Sequence, residues 1–316
     1  MRVKAFFLVV AATSLVECKQ YRSDYEDYPD AGGWLKLHRV PANCHEARLR
    51  CHLEGGTLAS PLTQKMSDVL KSFVEDHELG SRGIFTGIRA TFSRGDFASI
   101  EGVPLARIPH RWASGEPDNK QDSEQCILQL KDGSLADVSC NDTYPYICYR
   151  KYTNQLTNAC GTFDNEYQLD ARTGNCYKFH LVPRTWSRAY MACTAEGGHL
   201  AIINSDTEAK VLADLFAKYQ PSSMQSRSPY SGTMVFIGFH DWNEHGEWLT
   251  VQGQTLQQAG YARWSHGQPT SVPYKDHPVE YCGGIQRSAG LDDLWCDMPY
   301  HFICEKTPDS LLWDEQ

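Results

Sequence analysis

Apolar positions along the chain predict the same succession of elements twice. Trp34–Val40 and Cys176–Val182 read as strands, and each leads into a helix-period segment. In the second half Trp186, Ala189, Tyr190 and Cys193 stand at i, i+3, i+4 and i+7, one face of a helix. In the first half Asn43 with Glu46 three residues later is a capping-box signature. A second amphipathic helix follows in each half, through Met66, Val69, Leu70 and Phe73, and through Ala209, Leu212, Leu215 and Phe216 behind a Ser205…Glu208 box. After the runs Phe85–Ile88 and Phe236–Phe239, long helical periodicity stops. Gly, Pro, Asn and Asp then punctuate short strands and long loops, the kind of chain that usually carries function.

The succession is a true internal repeat. Leu35-Lys36-Leu37-His38…Val40-Pro41 aligns with Tyr177-Lys178-Phe179-His180…Val182-Pro183 at an offset of 142, as does Cys51…Glu54-Gly55-Gly56…Leu58-Ala59 with Cys193…Glu196-Gly197-Gly198…Leu200-Ala201. Phe85-Thr86-Gly87-Ile88 meets Phe236-Ile237-Gly238-Phe239 at 151, Arg111-Trp112 meets Arg263-Trp264 at 152, and Cys126, Cys140 and Cys148 meet Cys282, Cys296 and Cys304 at 156. The offset only grows, so the second copy carries insertions and no scrambling. A period this long excludes a solenoid and implies two homologous globular domains, 33–149 and 160–305, with a polar linker at 150–159 and a tail at 306–316. Tyr21, Tyr25 and Tyr28 among Asp24, Glu26, Asp27 and Asp30 make residues 19–32 an acidic arm expected to be disordered.

Arg2 and Lys4 precede an apolar run, Ala5 to Val16, that is too short to span a bilayer and ends on small residues near Cys18. Residues 1–18 therefore read as a secretory signal peptide, and no other segment is long and apolar enough to cross a membrane. The twelve cysteines agree with an oxidising compartment. Cys126 and Cys140, like Cys282 and Cys296, can each close a local loop. Cys51 and Cys193 would then reach Cys148 and Cys304, and Cys160 with Cys176 can pin a hairpin found only in the second domain. Connectivity is not fixed by spacing. Cys44 is left over, at the position of Trp186: a buried small hydrophobe, an intermolecular bridge or a partner for a retained Cys18. The formal charge is −9, and loss of residues 1–18 removes Arg2, Lys4 and Glu17 to leave one more net negative charge. With no basic block, nucleic acid is excluded as a partner. No serine elbow, P-loop or dinucleotide glycine pattern occurs, and His45-Glu46 lacks the histidine at 49 that a zinc protease needs, so an enzyme is not expected. His240 and His245 flank a turn-like stretch and read as surface residues. Asn141-Asp142-Thr143 is a glycosylation sequon in an expected loop.

Together, the helix cysteine, Glu-Gly-Gly…Leu, the Phe-x-Gly-Ile/Phe strand, Trp followed by a loop proline, and three spaced C-terminal cysteines resemble the C-type lectin-like domain, twice over. The tandem arrangement behind a leader is similar to the immulectin-type haemolymph lectins of lepidopteran insects. The resemblance implies an α+β fold: two such domains, each with two helices, short antiparallel sheets and a long loop region stapled by disulfides. It also implies calcium, held by a tripeptide around a cis-proline, a glutamate before the penultimate cysteine pair and an Asn-Asp pair on the next strand, with two sugar hydroxyls completing the coordination. In the first domain the matching positions are Glu116-Pro117-Asp118, Glu124, Ala136 and Asp137; Ala136 and Asp118 depart from the usual asparagines and remove two amide donors. In the second they are Gln268-Pro269-Thr270, Glu280, Asp292 and Asp293, with Thr270 and Asp292 the departures. Trp264, just before the loop, reads as core rather than as a sugar platform.

The resemblance implies a secreted haemolymph lectin of innate immunity that recognises microbial glycans or lipopolysaccharide as a pattern, with haemocytes or immune proteases downstream. Lipopolysaccharide is anionic and the chain acidic, so Arg263, His266 and Lys275 are candidate contacts. The competing expectation keeps the fold without the sugar: a calcium-independent scaffold for protein or lipid, in line with the departures at Asp118, Ala136 and Thr270.

Overall fold

A computed structural model describes residues 22–77, 83–90, 93, 95–153, 157–224, 232–242, 246–271 and 280–311. The leader, Cys18, His245 and Lys275 lie outside them. The first half runs β1 (Glu26–Tyr28), β2 (Gly33–Ala42), α1 (Cys44–Leu53), β3 (Thr57–Leu58), α2 (Gln64–Asp76), β4 (Ile84–Ala90), β5 (Phe97–Ser99), β6 (Glu124–Gln129), β7 (Leu135–Ser139) and β8 (Tyr144–Lys151). The second runs β9 (Gln168–Leu169), β10 (Cys176–Arg184), α3 (Trp186–Ala195), β11 (His199–Leu200), α4 (Asp206–Ala217), β12 (Met234–His240), β13 (Leu249–Thr250), α5 (Leu256–Ala259), β14 (Cys282–Gln286), β15 (Leu291–Leu294) and β16 (Tyr300–Lys306). The sheet orders are β1-β2-β8-β4-β6-β7 and β9-β10-β16-β12-β14-β15, the same path element for element. The sheets are not wholly antiparallel: β4 and β8 pair in parallel at Phe85 and Tyr146, and β12 and β16 at Phe236 and Phe302.

Strand period two sorts residues between two cores. On β4, Phe85 faces the core under α1 while Ile84 faces the core under α2, and on β8 Cys148 and Ile147 divide the same way. The glycine of the Phe-x-Gly strand is required by close approach. A Cβ on Gly238 would lie 2.3 Å from the Leu200 carbonyl oxygen, and one on Gly87 would lie 2.6 Å from that of Leu58. Three helices take a side-chain cap from Asn43, Thr63 or Ser205, and α5 carries a full box between Thr255 and Gln258. On α3 Trp186, Ala189 and Cys193 are buried, whereas Tyr190 is 38% exposed and leaves the predicted face. Five disulfides join Cys51 to Cys148, Cys126 to Cys140, Cys160 to Cys176, Cys193 to Cys304 and Cys282 to Cys296. Cys44 is a free, buried thiol whose pKa burial pushes up to about 11, an inert apolar filler.

Residues 22–31 are not a disordered arm. Glu26–Tyr28 pairs antiparallel with Gly33–Leu35, Tyr25 is buried, and its hydroxyl donates to Glu54 at 3.0 Å. The hairpin on which Cys160 and Cys176 sit has a counterpart here without the disulfide, with Tyr25 at the place of Tyr167, which donates to Glu196 at 2.9 Å. The polar stretch after 149 is likewise shorter as a free connection, since β8 runs on to Lys151.

Candidate functional site

In each domain the proline loop is hung on the strand that carries the acidic residues. Ala113 donates its N–H to Leu135 at the start of β7, and Ser265 does the same to Leu291 at the start of β15, both at 2.8 Å. The Glu116-Pro117 and Gln268-Pro269 peptides are both cis. Beyond the proline the loop folds back onto the strand. Asp137 accepts the N–H groups of Asp118 and Asn119 at 3.1 Å each, and Asp293 accepts those of Thr270 and Ser271, the latter at 2.6 Å.

In the first domain Glu116, Asp118 and Asp137 converge: an oxygen from each lies within 4.8 Å of the others. Glu116 Oε2 is buried with no hydrogen-bond partner among the described residues. Burial first, and then the neighbouring Asp137 and Asp118 carboxylates, raise the Glu116 carboxyl to about 7. Glu124, at the start of β6, stands beside this trio and accepts the Lys120 N–H at 2.6 Å. Burial raises its pKa too. All four line one open cavity of about 630 Å³, whose floor includes Ala136 where an amide oxygen would otherwise project. Concentrated oxygen ligands, a buried orphan acceptor and raised carboxyl pKa values are the marks of a place that a hard cation such as calcium would suit.

The second domain is built from fewer charges. Gln268 Oε1 is buried without a partner among the described residues, and Thr270 Oγ1 donates to Glu280 at 3.3 Å. Asp292 and Asp293 are both 1% exposed. Gln286 donates to Asp292 at 2.6 Å, and burial raises the Asp292 carboxyl to about 6. Glu280, Asp292 and Asp293 do not form a trio as close as that of the first domain among the described residues. Gln268 and Thr270 supply neutral oxygens to the same place, so the donor set is still all oxygen.

Other expected participants fall elsewhere. Trp264 packs in the core against Phe239 and Trp248, with ring centroids 5.8 and 5.1 Å away. Arg263 is exposed and paired with Asp206, and His266 is exposed. Asn141 is exposed in the turn after β7. His240 is half-buried rather than a free surface residue, because Trp242 stacks on it at 4.7 Å.

The repeat concealed two further features. One is a buried charge network around Glu54, which takes hydrogen bonds from Tyr25, Lys36 and Arg50 and pairs with His38; Glu196 repeats it with Tyr167, Lys178 and His180. Tyr25, Lys36, His38 and Glu54 recur at the offset of 142, and that recurrence is the available signal. The other is an exposed aromatic ladder at Trp242, which has no periodic signature.

The family model described as the lectin C-type domain matches residues 40–150 and 182–306. A hemolymph lipopolysaccharide-binding protein of Periplaneta americana is 39% identical over 140 residues, 44% of this chain and 51% of the relative. The C-type lectin lectoxin-Lio2 of Erythrolamprus poecilogyrus is 33% identical over 143 residues, 43% of this chain and 77% of the relative. The chain thus spans about half the length of the hemolymph protein. Among solved structures, the mouse scavenger receptor C-type lectin carbohydrate-recognition domain aligns at 24% identity and a TM-score of 0.37, over 46% of this chain and 97% of that one. Among the described residues no helix is long and apolar enough to cross a membrane. The chain belongs to the C-type lectin domain family, carries that domain twice, and is a binding protein rather than an enzyme.

Proposed function

We propose that this chain is a secreted, calcium-dependent lectin of innate immunity that recognises microbial surface glycans, lipopolysaccharide among them. The observation that carries the reading is the convergence of Glu116, Asp118 and Asp137 beside the cis-proline, with a buried orphan oxygen on Glu116 and its counterpart on Gln268. Glu116, Asp118, Glu124 and Asp137 would hold the ion in the first domain; Gln268, Thr270, Glu280, Asp292 and Asp293 would hold it in the second. A bound calcium supplies open coordination positions for a vicinal pair of sugar hydroxyls. The protein's own part is to fix the oxygens and to present acceptors to those hydroxyls, while Gln268 adds an amide donor. Ala136 and Asp118 leave the first rim with no amide donor at those two positions, so the two domains differ in the sugar they prefer. The hemolymph relative's name supports lipopolysaccharide as one target. Haemocytes and immune proteases are the partners this reading implies downstream, and Asn141 is its glycosylation site.

A specific observation favours a second reading, a calcium-independent scaffold. Asp137 and Asp293 are already satisfied by backbone N–H groups, which hold the loops closed without an ion. Binding to immobilised lipopolysaccharide across a calcium titration separates the two. The lectin reading expects binding that rises with calcium, is reversed by chelator and falls at least tenfold in the Glu124→Ala/Glu280→Ala double variant. Chelator-insensitive binding in both proteins would establish the scaffold instead.

A further inference from the structure

The second domain exposes an aromatic ladder that the cation site does not use. Tyr190 stacks on Trp186 at 5.7 Å, Trp186 meets Trp242 edge-on at 4.9 Å, and Trp242 stacks on His240 at 4.7 Å. Trp186 is buried, but Trp242 keeps 45% of its surface in solvent, Tyr190 38% and Met191 45%. The indole N–H of Trp242 is already donated to Cys296 Sγ at 3.4 Å, so the side chain has only its ring left to offer a ligand.

The backbone that leads into Trp242 runs beside the strand that leaves the candidate sugar rim. Trp242 follows Asp241, whose N–H donates to the Tyr281 carbonyl at 2.9 Å, and Tyr281 follows Glu280. On the same strand pair His240 stands opposite Cys282. Exposed area at Trp242, Tyr190 and Met191 amounts to roughly 300 Å², well below the ~800 Å² per partner of a standard protein interface. An open single-ring platform is also too shallow for an acyl chain. A pyranose presents a flat face of C–H groups and keeps its hydroxyls at the edge, which matches an exposed ring whose polar atom is spent.

We propose that Trp242 is an extended subsite that stacks the second pyranose ring of an oligosaccharide whose first ring is held at the Glu280 rim. The first domain lacks the platform: Cys44 stands in place of Trp186, Arg89 in place of His240, and Thr91 at the position of Trp242. Oligosaccharide length is therefore read by the second domain alone.

The inference rests on the lectin reading, and the experiment separates the two. In full-length protein carrying Glu124→Ala, binding is measured with calcium for delipidated lipopolysaccharide core oligosaccharide and for methyl glycosides of its component sugars. Trp242→Ala is expected to weaken the oligosaccharide about 3- to 10-fold and to leave the monosaccharides unchanged. Trp242→Tyr, which keeps a ring and guards against a folding defect, is expected to restore most of the loss. Oligosaccharide should also shift the intrinsic tryptophan fluorescence of the Trp242 parent and not of Trp242→Ala. Equal losses on both ligands, or no loss on either, would overturn the subsite while chelator-sensitive binding keeps the lectin reading standing. A change in sedimentation of Trp242→Ala with unaltered sugar binding would make the patch a self-association surface and overturn it likewise. Binding that survives chelator and Glu280→Ala would overturn both.

Discussion

Buried acids in this chain are handled in two opposite ways. Burial works against ionisation of Glu54, yet the His38 hydrogen bond and the charges of Arg22 and Lys36 hold its carboxyl well below the usual range. Glu196 is held low in the same sense by His180 and Lys178. Among the described residues Glu305 has no cationic partner that lowers its pKa. It is 4% exposed, receives the Ile202 N–H and the Asn175 amide, and faces Glu208, itself fully buried and bonded to Tyr177 and Asn204. Burial first, and then the charge of Glu208, raise Glu305 to about 8. The folded state therefore holds a proton that the unfolded chain releases at the ordinary glutamate value of 4.5. Stability from this pair is full below about pH 4.5 and is lost as the pH rises toward 8, the reverse of a salt-bridged carboxylate. Glu305→Gln mimics the protonated form, so its thermal midpoint is expected to fall less than that of the parent between pH 5 and 8 and to exceed it at pH 8. Parallel curves across that range would show that the pair does not titrate there.

At the scale of elements, tolerance is set where backbones touch. A Cβ at position 238 would sit 2.3 Å from the Leu200 carbonyl oxygen, and neither strand has a flexible side-chain end to yield. Gly238→Ala is expected to cost about 1–3 kcal/mol by overpacking, read as a lowered denaturation midpoint with an unchanged m-value. A neutral result would mean that β11 and β12 separate freely. Much of this layer was legible from residues alone. Met66, Leu70 and Phe73 declare α2 by spacing, Asn43 and Ser205 declare caps, and each tripeptide places its carboxylate or amide next to its proline in the chain itself. The hairpin at 22–31 was not legible, because its acidic composition reads as solvated chain. What buries it is Tyr25, whose hydroxyl donates to Glu54, 29 residues on. Continuing the offset of 142 back to Tyr25 and Tyr167 would have revealed it. The degree of closure at each rim was hidden for a related reason. Asp137 and Asp293 are spent on loop N–H groups, and no residue spacing reports a backbone donor. Trp242 is a lone ring in a polar stretch, and one residue has no period.

At the scale of the whole molecule, the two domains touch through equivalent elements. Helix α1 lies against α3, Leu53 packs on the second domain's core, Arg188 pairs with Glu46 at 2.6 Å, and Arg50 donates to the Met191 carbonyl at 3.3 Å. Arg22 closes this contact from the first domain. It is 2% exposed and anchored at home by Asp24, and it donates its backbone N–H to the Leu311 carbonyl and its Nη1 to the Ala195 carbonyl, both at 2.6 Å. A buried guanidinium shared between domains couples them, since separation would leave both carbonyls and the charge to find new partners. The coupling bears on function through geometry: two weak rims held at fixed spacing engage one surface with gain only if the surface offers sugars at that spacing. Arg22→Ala leaves Lys36, His38 and Arg50 around Glu54 and touches neither rim. It is expected to enlarge the radius of gyration in solution scattering and to split one thermal transition into two, with affinity for a soluble monovalent glycan unchanged. Binding to lipopolysaccharide-coated surfaces should then shift away from that of the parent, because the spacing is no longer fixed. An unaltered scattering curve with a single transition would mean that the helix contact alone joins the domains, and that Arg22 fills space there without governing their coupling.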